Sequence, residues 1–401
     1  MNGSPGAVRR QAVGPVRQPP RGIEADAQRD MRKTGTAAAV NDSAGVPERS
    51  PATGNLPPRA RWDACLPVSA TPMQHRIWNE AGLAAENRGR TSQLLETDGA
   101  IALMLQQSRR GPLCLATAEE LGEPCEPACS GQVAAENLAA LMLAQKRPIR
   151  LGQPPADTAF SDAMVRQARK AGILFTFATE GSPFIELDDS WTSAPDRFNA
   201  RRRADFRRMR RRAESAGALR FEFHSPTTDN VTDLLDRAID IEARGWKGHA
   251  NTAIADNPFQ SAFYRRYAKL AAGEGILRIA FLKIGSDIAA VQIAVECDNR
   301  FWLLKIGYDE QFARCSPGQI LMLESIERAA RNGLTHFEFL GKAAPWTRLW
   351  TTGERPRMKL FYYPRNIAGV TALTSDASRI AISRLATMLR GKDRDEGTEA
   401  A

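Results

Sequence analysis

Residues 300–341 read RFWLLKIGYDEQFARCSPGQILMLESIERAARNGLTHFEFLG, and the fold turns on this stretch. RFWLLKIGYD alternates as a strand, with Trp302, Leu304 and Ile306 on one side and Phe301, Leu303, Lys305 and Gly307 on the other. SPGQILMLESIERAARNG has helical spacing; Ser316 stands at the cap, Pro317 at the first helical position, and Gly333 at the stop. THFEFLG alternates again. The order is strand, helix, strand.

Two more strand-like segments, ILRIAFLKI and IAAVQIAVECD, precede it. Their separators, Gly285-Ser286-Asp287 and Asp298-Asn299, are hairpin residues. Further upstream, DNVTDLLDRAIDIEARGWKG places Val231, Leu234, Leu235, Ala238, Ile239 and Ile241 on one helical face with Asp229 set to cap. DNPFQSAFYRRYAKLAAGEG opens a second helix at Asn257-Pro258, LRFEFHS is a strand ahead of both, and RMKLFYYP reads as the last strand of the series. An earlier series runs from a helix at TPMQHRIWNEAGLAAE through strands IALMLQ and PLCLATA, helix ENLAALMLA, strand PIRLG, helix DAMVRQARKAG and strand ILFTFAT, describing a mixed α/β domain.

The 401 residues divide accordingly. Residues 1–61 contain no aromatic residue and no sustained periodicity, and are expected to be a disordered tail. Residues 62–200 form a first domain, 201–216 a connecting helix, 217–366 a second domain, and 367–401 a C-terminal helix and flexible tail. The formal charge of +9 sits in the tail and in RRRADFRRMRRR, which holds 8 Arg between Arg201 and Arg212. The rest is not basic, which speaks against a broad nucleic-acid-binding face. Six scattered cysteines frame no small disulfide scaffold, and Cys125 and Cys129 have no histidine cluster beside them, so no metal site is expected. No stretch is apolar enough to span a membrane and the N-terminus lacks a signal-peptide core, so a cytoplasmic location is expected, peripheral to the inner membrane face if the arginines meet lipid.

IEARGWKG together with residues 303–341 resembles the GNAT acyltransferases, in particular the acetyltransferases of cellulose or exopolysaccharide biosynthesis, which are similar in turn to the Fem-type aminoacyltransferases built from two GNAT-like halves. The resemblance implies tandem GNAT-like folds of mixed α/β class, with mostly antiparallel sheets, flanking helices and a degenerate first half. It implies acyl-coenzyme A as donor, and an amine or hydroxyl on a sugar or glycan precursor as acceptor.

Several residues are candidates for that chemistry. The helix opening at Ser316 offers amides and a partial positive charge to a phosphate, and Gly318 lets it approach closely, although a well-capped structural helix would read the same way. On the family pattern Arg314, Ser316, Gly318 and Gln319 would hold the coenzyme pyrophosphate, with the departure that Pro317 has no N–H. Lys305, among apolar neighbours, would hold a phosphate or acyl carbonyl, or else lay its stem over apolar surface. The resemblance makes Tyr308 the acid for the leaving thiolate and Glu242 the general base; Glu242 could instead neutralise Arg244 or Lys247. Trp246, Gln292, Lys342 and Trp346 are candidate acceptor contacts, Gln292 equally readable as a solvent-facing edge residue. Lys342-Ala343-Ala344-Pro345-Trp346 departs from the acidic or glycine residues of relatives. The arginine segment suits a solvated connector or an anionic partner such as RNA or a membrane surface. An aminoacyl-tRNA-dependent transferase and a non-catalytic scaffold are the rival readings.

Overall fold

The computed structural model describes residues 56–396, apart from 87, 109–110, 116 and 246–252. The first half runs α1 (Arg59–Asp63), α2 (Arg76–Ala84), β1 (Thr91–Thr97), β2 (Ala100–Gln106), β3 (Leu113–Leu115), α3 (Ala118–Leu121), β4 (Ala128–Cys129), α4 (Gln132–Ala144), β5 (Ile149–Leu151), α5 (Ala159–Ala171) and β6 (Gly172–Glu186). α6 (Ala200–Ala216) follows. The second half runs β7 (Leu219–His224), α7 (Val231–Ala243), α8 (Pro258–Gly273), β8 (Leu277–Ile284), β9 (Asp287–Cys297), β10 (Arg300–Tyr308), α9 (Pro317–Arg331), β11 (His336–Glu338) and β12 (Glu354–Pro364), and α10 (Ile367–Glu396) comes last.

The mixed α/β expectation holds, and the two halves repeat one plan. β1, β2 and β3 form an antiparallel meander, α4 crosses over, and β5 pairs parallel to β3 at Leu113↔Ile149. β8, β9 and β10 form the same meander, α9 crosses over, and β11 pairs parallel to β10 at Phe301↔Phe337. Parallel neighbours need a long connection, and a helix supplies it in both halves. Asp298 and Asn299 both take positive φ, 49° and 56°, in the mirror-image turn that matches strand twist and closes the β9–β10 hairpin.

One sheet joins the halves in the order β1-β2-β3-β5-β12-β6-β11-β10-β9-β8-β7, with β4 added to β2. RMKLFYYP, expected to close the second series, instead lies between β5 and β6 of the first. The 15-residue β6 makes this possible, because it pairs with β12 along most of its length and with β11 only at residues 184–186. On one sheet face a continuous core unites α2, α4 and α5 with α7 and α8; Trp78 meets Phe263 at 4.8 Å and Tyr267 at 4.9 Å, edge to face. On the other face α9 and α6 pack through Met322, Ile326 and Phe206, whose ring stacks on Trp350 at 5.8 Å.

Three local expectations change. Leu56 is buried against Trp62 and Cys65, and α1 begins at Arg59, so residues 56–61 belong to the body and not to the tail; residues 1–55 lie outside the described residues. Asp229 does not cap α7: the cap position is Asn230, whose Oδ1 accepts from the Thr227 N–H at 2.9 Å in the preceding turn. Ser316 stands at the start of α9 in left-handed backbone, φ 54°, and its hydroxyl makes no capping bond, because that conformation turns it away from the first-turn amides. Asn257 does cap α8, accepting from the Gln260 N–H at 3.1 Å.

Candidate functional site

β10 has a partner on each side for only part of its length. β11 pairs with it from His336 to Glu338, opposite Arg300–Trp302. Phe339 then gives its N–H to the Pro183 carbonyl at 3.0 Å, so the chain follows β6 and leaves β10. Among the described strands, residues 303–308 of β10 run on beside β9 after β11 has left. The sheet therefore opens beside them. The C-terminal end of α7 borders the opening on one face and the N-terminal end of α9 on the other.

A bulge decides what each face carries. The β9–β10 register shifts between Leu303 and Lys305, and an inserted residue reverses the alternation beyond it. Phe301, Leu303 and Ile306 pack towards α9, and Tyr308 joins the cluster around Cys315 and Ile320. Trp302 and Leu304 join the α7–α8 core, and Lys305 reaches that same side. The expected grouping of Lys305 with Phe301 and Leu303 is thus corrected: the strict period of two fails at Leu304.

On the α7–α8 face, the Lys305 ammonium donates to Gln260 Oε1 at 3.1 Å and lies 5.2 Å from the centre of the Tyr264 ring. Tyr264 is fully buried, and its hydroxyl has no hydrogen-bond partner among the described residues. Burial, then the charges of Glu123 and Glu242, push the phenol well above its usual range. Glu242, 1% exposed, accepts from the Ile254 N–H at 2.9 Å. It stands directly over β10, since a methyl group on Gly307 would fall 2.6 Å from the Glu242 Cα. Glycine at 307 is what lets helix and strand approach this closely. Arg244 does not pair with Glu242; it bonds Asp240 at 2.5 Å and Asp309 at 3.4 Å.

The first half contributes Glu123. Its buried carboxylate accepts from the Gly341 N–H at 3.0 Å. Burial raises its pKa, and the Gly341 bond and the nearby Lys305 and Arg357 partly offset the rise. Glu123, Gln260, Tyr264 and Arg357 had no sequence signal as site residues. They lie far from β10 in the chain and meet it only through tertiary packing.

On the α9 face, Tyr308 comes nearest the helix start: a methyl on Gly318 would sit 3.9 Å from Tyr308 Cδ1 with nothing closer. The amide row is shorter than expected. Pro317 has no N–H, and the Gln319 and Ile320 N–H groups bond the Ser316 carbonyl at 3.0 and 3.3 Å. Gly318 holds the remaining first-turn N–H. Gln319 Oε1 is buried without a hydrogen-bond partner among the described residues, and Arg314 is exposed.

The other candidates fall around this centre. Gln292 is 2% exposed and its Nε2 faces Met322 Sδ at 3.6 Å, on the α9 side; it is neither a solvent-facing edge residue nor on the same face as Lys305 and Glu242. Lys342 follows Gly341 but turns outward to Glu180 at 3.4 Å. Trp346 is 43% exposed and rests edge-on against Phe339 at 5.9 Å. Trp246 and Lys247 lie outside the described residues. Among the described residues no group of three or more His, Cys, Asp and Glu is placed to hold a metal ion, and no helix is long and apolar enough to cross a membrane.

The arrangement can place a carboxylate and an ammonium on one side of an opened sheet, and a phenol with a helix N-terminus on the other. Residues 200–348 match the family model described as the acetyltransferase (GNAT) domain. A search of curated proteins finds no match. Among solved structures the chain is similar to FemX, with TM-score 0.51 and 11% identity over 78% of this chain and 97% of that one. It is also similar to a conserved protein of unknown function from Bacteroides thetaiotaomicron (0.49, 12%, 76% and 96%). A third is the C-terminal DUF2156 domain of a protein assigned as a lysylphosphatidylglycerol synthetase from Agrobacterium fabrum (0.48, 13%, 76% and 93%). At these identities the likeness to FemX is one of fold.

Proposed function

We propose that the second half transfers an acyl group from an acyl-coenzyme A to an amine or hydroxyl of a sugar or glycan precursor, in polysaccharide or cell-envelope synthesis. The observation that carries this reading is the opening of the sheet beyond Trp302 and Glu338, set at the start of α9. The GNAT domain match over the same residues supports it. A thioester in the opening would lie beside β10 where β11 leaves it, with its carbonyl close to the start of α9. The Gly318 N–H, the α9 dipole and the Arg314 guanidinium would meet the donor's phosphates. That is a lean phosphate site, since Pro317 removes one donor.

The acceptor would enter on the α7–α8 face. Its amine or hydroxyl attacks the thioester carbonyl carbon, forming a C–N or C–O bond as the C–S bond breaks. Glu242 takes the acceptor proton, and Tyr308 gives one to the departing thiolate. Lys305 and the Tyr264 hydroxyl would orient the acceptor, whose polar groups would satisfy that buried oxygen. Most of the rate gain would come from holding the two partners together.

A second reading, transfer from an aminoacyl-tRNA, is favoured by α6, which exposes Arg201, Arg207, Arg208, Arg210, Arg211 and Arg212. The same arginines would suit an anionic membrane surface. Incubating the full chain with candidate glycan precursors, once with acetyl-coenzyme A and once with aminoacyl-tRNA, separates the readings by the acceptor's mass shift. An acetyl increment with the first donor supports the proposal; an aminoacyl increment with the second alone replaces it.

A further inference from the structure

On the α9 face, between that helix and strands β7, β8 and β9, lies a cavity of about 140 Å³. Its existence follows from residue size: Ala280, Ala294 and Ala329 line it where larger apolar side chains would close it. Gln292 and Ser325, 2% and 1% exposed, also line it. Gln292 Oε1 and Ser325 Oγ are both buried without a hydrogen-bond partner among the described residues. Two such atoms facing one small space each forfeit the hydrogen bond they make to water in the unfolded chain.

The charges of the lining are uneven. Arg278 is committed to Glu296 at 2.8 Å and to the Gly275 carbonyl at 2.7 Å. Arg328, also lining the cavity, is exposed, lies 4.6 Å from the centre of the Phe223 ring and faces no carboxylate among the described residues. The cavity thus offers an acceptor oxygen and a hydroxyl at its buried end and an uncompensated guanidinium at its open end.

We infer that this cavity is a binding site for a small hydroxy or amino acid. The ligand's O–H or N–H donates to Gln292 Oε1, Ser325 bonds the same polar group, and the carboxylate meets Arg328. A cavity close to 150 Å³ accommodates a molecule of about six non-hydrogen atoms, the size of lactate or alanine. The site is separate from the proposed acyl-transfer centre, because on α9 it is lined by Ser325, Arg328 and Ala329, about two to three turns beyond the helix start, and Lys305 lies on the opposite face of the sheet. It stands whether or not that reaction is correct.

The test is calorimetric titration of the full chain with L-lactate and L-alanine, against propionate, which lacks the donor, and 1,2-propanediol, which lacks the carboxylate. Saturable binding of lactate or alanine at millimolar concentration or tighter is expected, with both controls about tenfold weaker or more. Arg328→Gln, a surface change that leaves packing intact, should weaken the binding about tenfold, and Ser325→Ala should do likewise. Ala329→Leu should abolish it by filling the space. If none of the four probes binds saturably, or if propionate binds as well as lactate, or if Arg328→Gln has no effect, the inference is overturned and the two buried atoms are served by water.

Discussion

Replacing Gly307 by alanine tests whether α7 and β10 meet as described. The added methyl would lie 2.6 Å from Glu242 Cα, 3.0 Å from its Cβ and 3.1 Å from its backbone nitrogen. Carbon atoms rest comfortably at about 3.5–4.0 Å, so helix and strand must part by about 1 Å. No side-chain rotation can relieve the contact, because most of the clash is with backbone. Overpacking of this kind costs about 1–3 kcal/mol. Replacing glycine inside a strand returns about 0.5–1 kcal/mol, leaving a net loss of about 1–1.5 kcal/mol at the middle of the overpacking range. In urea, followed by tryptophan fluorescence, the midpoint should fall at unchanged slope. Transfer should fall further than stability does, because Glu242 moves by about 1 Å relative to Lys305 and Tyr308, a displacement that can cost about a hundredfold in rate. Donor affinity should change little. A variant as stable as the parent would mean that the helix does not lie against the strand, and Glu242 would lose its place in the site.

Glu242→Gln keeps an oxygen for the Ile254 N–H at 2.9 Å, so stability should shift by less than about 1 kcal/mol while transfer drops about a hundredfold or more; equal turnover at equal stability removes Glu242 as base. Gly318→Ala meets nothing nearer than Tyr308 Cδ1 at 3.9 Å and should stabilise the chain by about 0.5 kcal/mol through helix propensity, yet weaken donor binding about tenfold by crowding the start of α9; thermal scans and titration check the two halves of that statement. Glu126 gives a pH effect: burial pushes its carboxyl from 4.5 up to about 7. The folded state then holds the proton more tightly than the unfolded chain, so this contribution is fully present below pH 4.5 and is lost as pH rises through about 7. Glu126→Gln should therefore raise stability by about 2 kcal/mol at pH 8.5, after allowance for partial solvent screening, and leave it nearly unchanged at pH 4; equal effects at both pH values would contradict this.

Much of the second half could be read from residues 300–341, because strand alternation, the Pro317 start and the Gly333 stop are local signals. The hairpins at Gly285-Ser286-Asp287 and Asp298-Asn299 were legible for the same reason: turn chemistry is written in a few adjacent residues. The place of RMKLFYYP was not legible, since a strand's pattern does not say which neighbour it pairs with, and β12 chose β6 and β5. Lys305 is legible as a cation among apolar residues, but the bulge at Leu304 puts it on the other face, and a bulge leaves no mark in composition. Glu123 and Tyr264 were invisible as site residues because their roles come from burial beside Lys305 and Glu242, which only the folded chain creates. The same holds for the cavity at Gln292 and Ser325, whose alanine walls are unremarkable one at a time.

The proposed reaction requires that the opening beside β10, at the start of α9, takes a phosphorylated acyl donor. Calorimetric titration of the full chain with acetyl-coenzyme A, repeated on Gly318→Ala, addresses it directly. Saturable one-to-one binding, weakened in the variant while its fold stays intact, is the predicted result. No heat of binding with the parent chain, or equal affinity in both proteins, would contradict it.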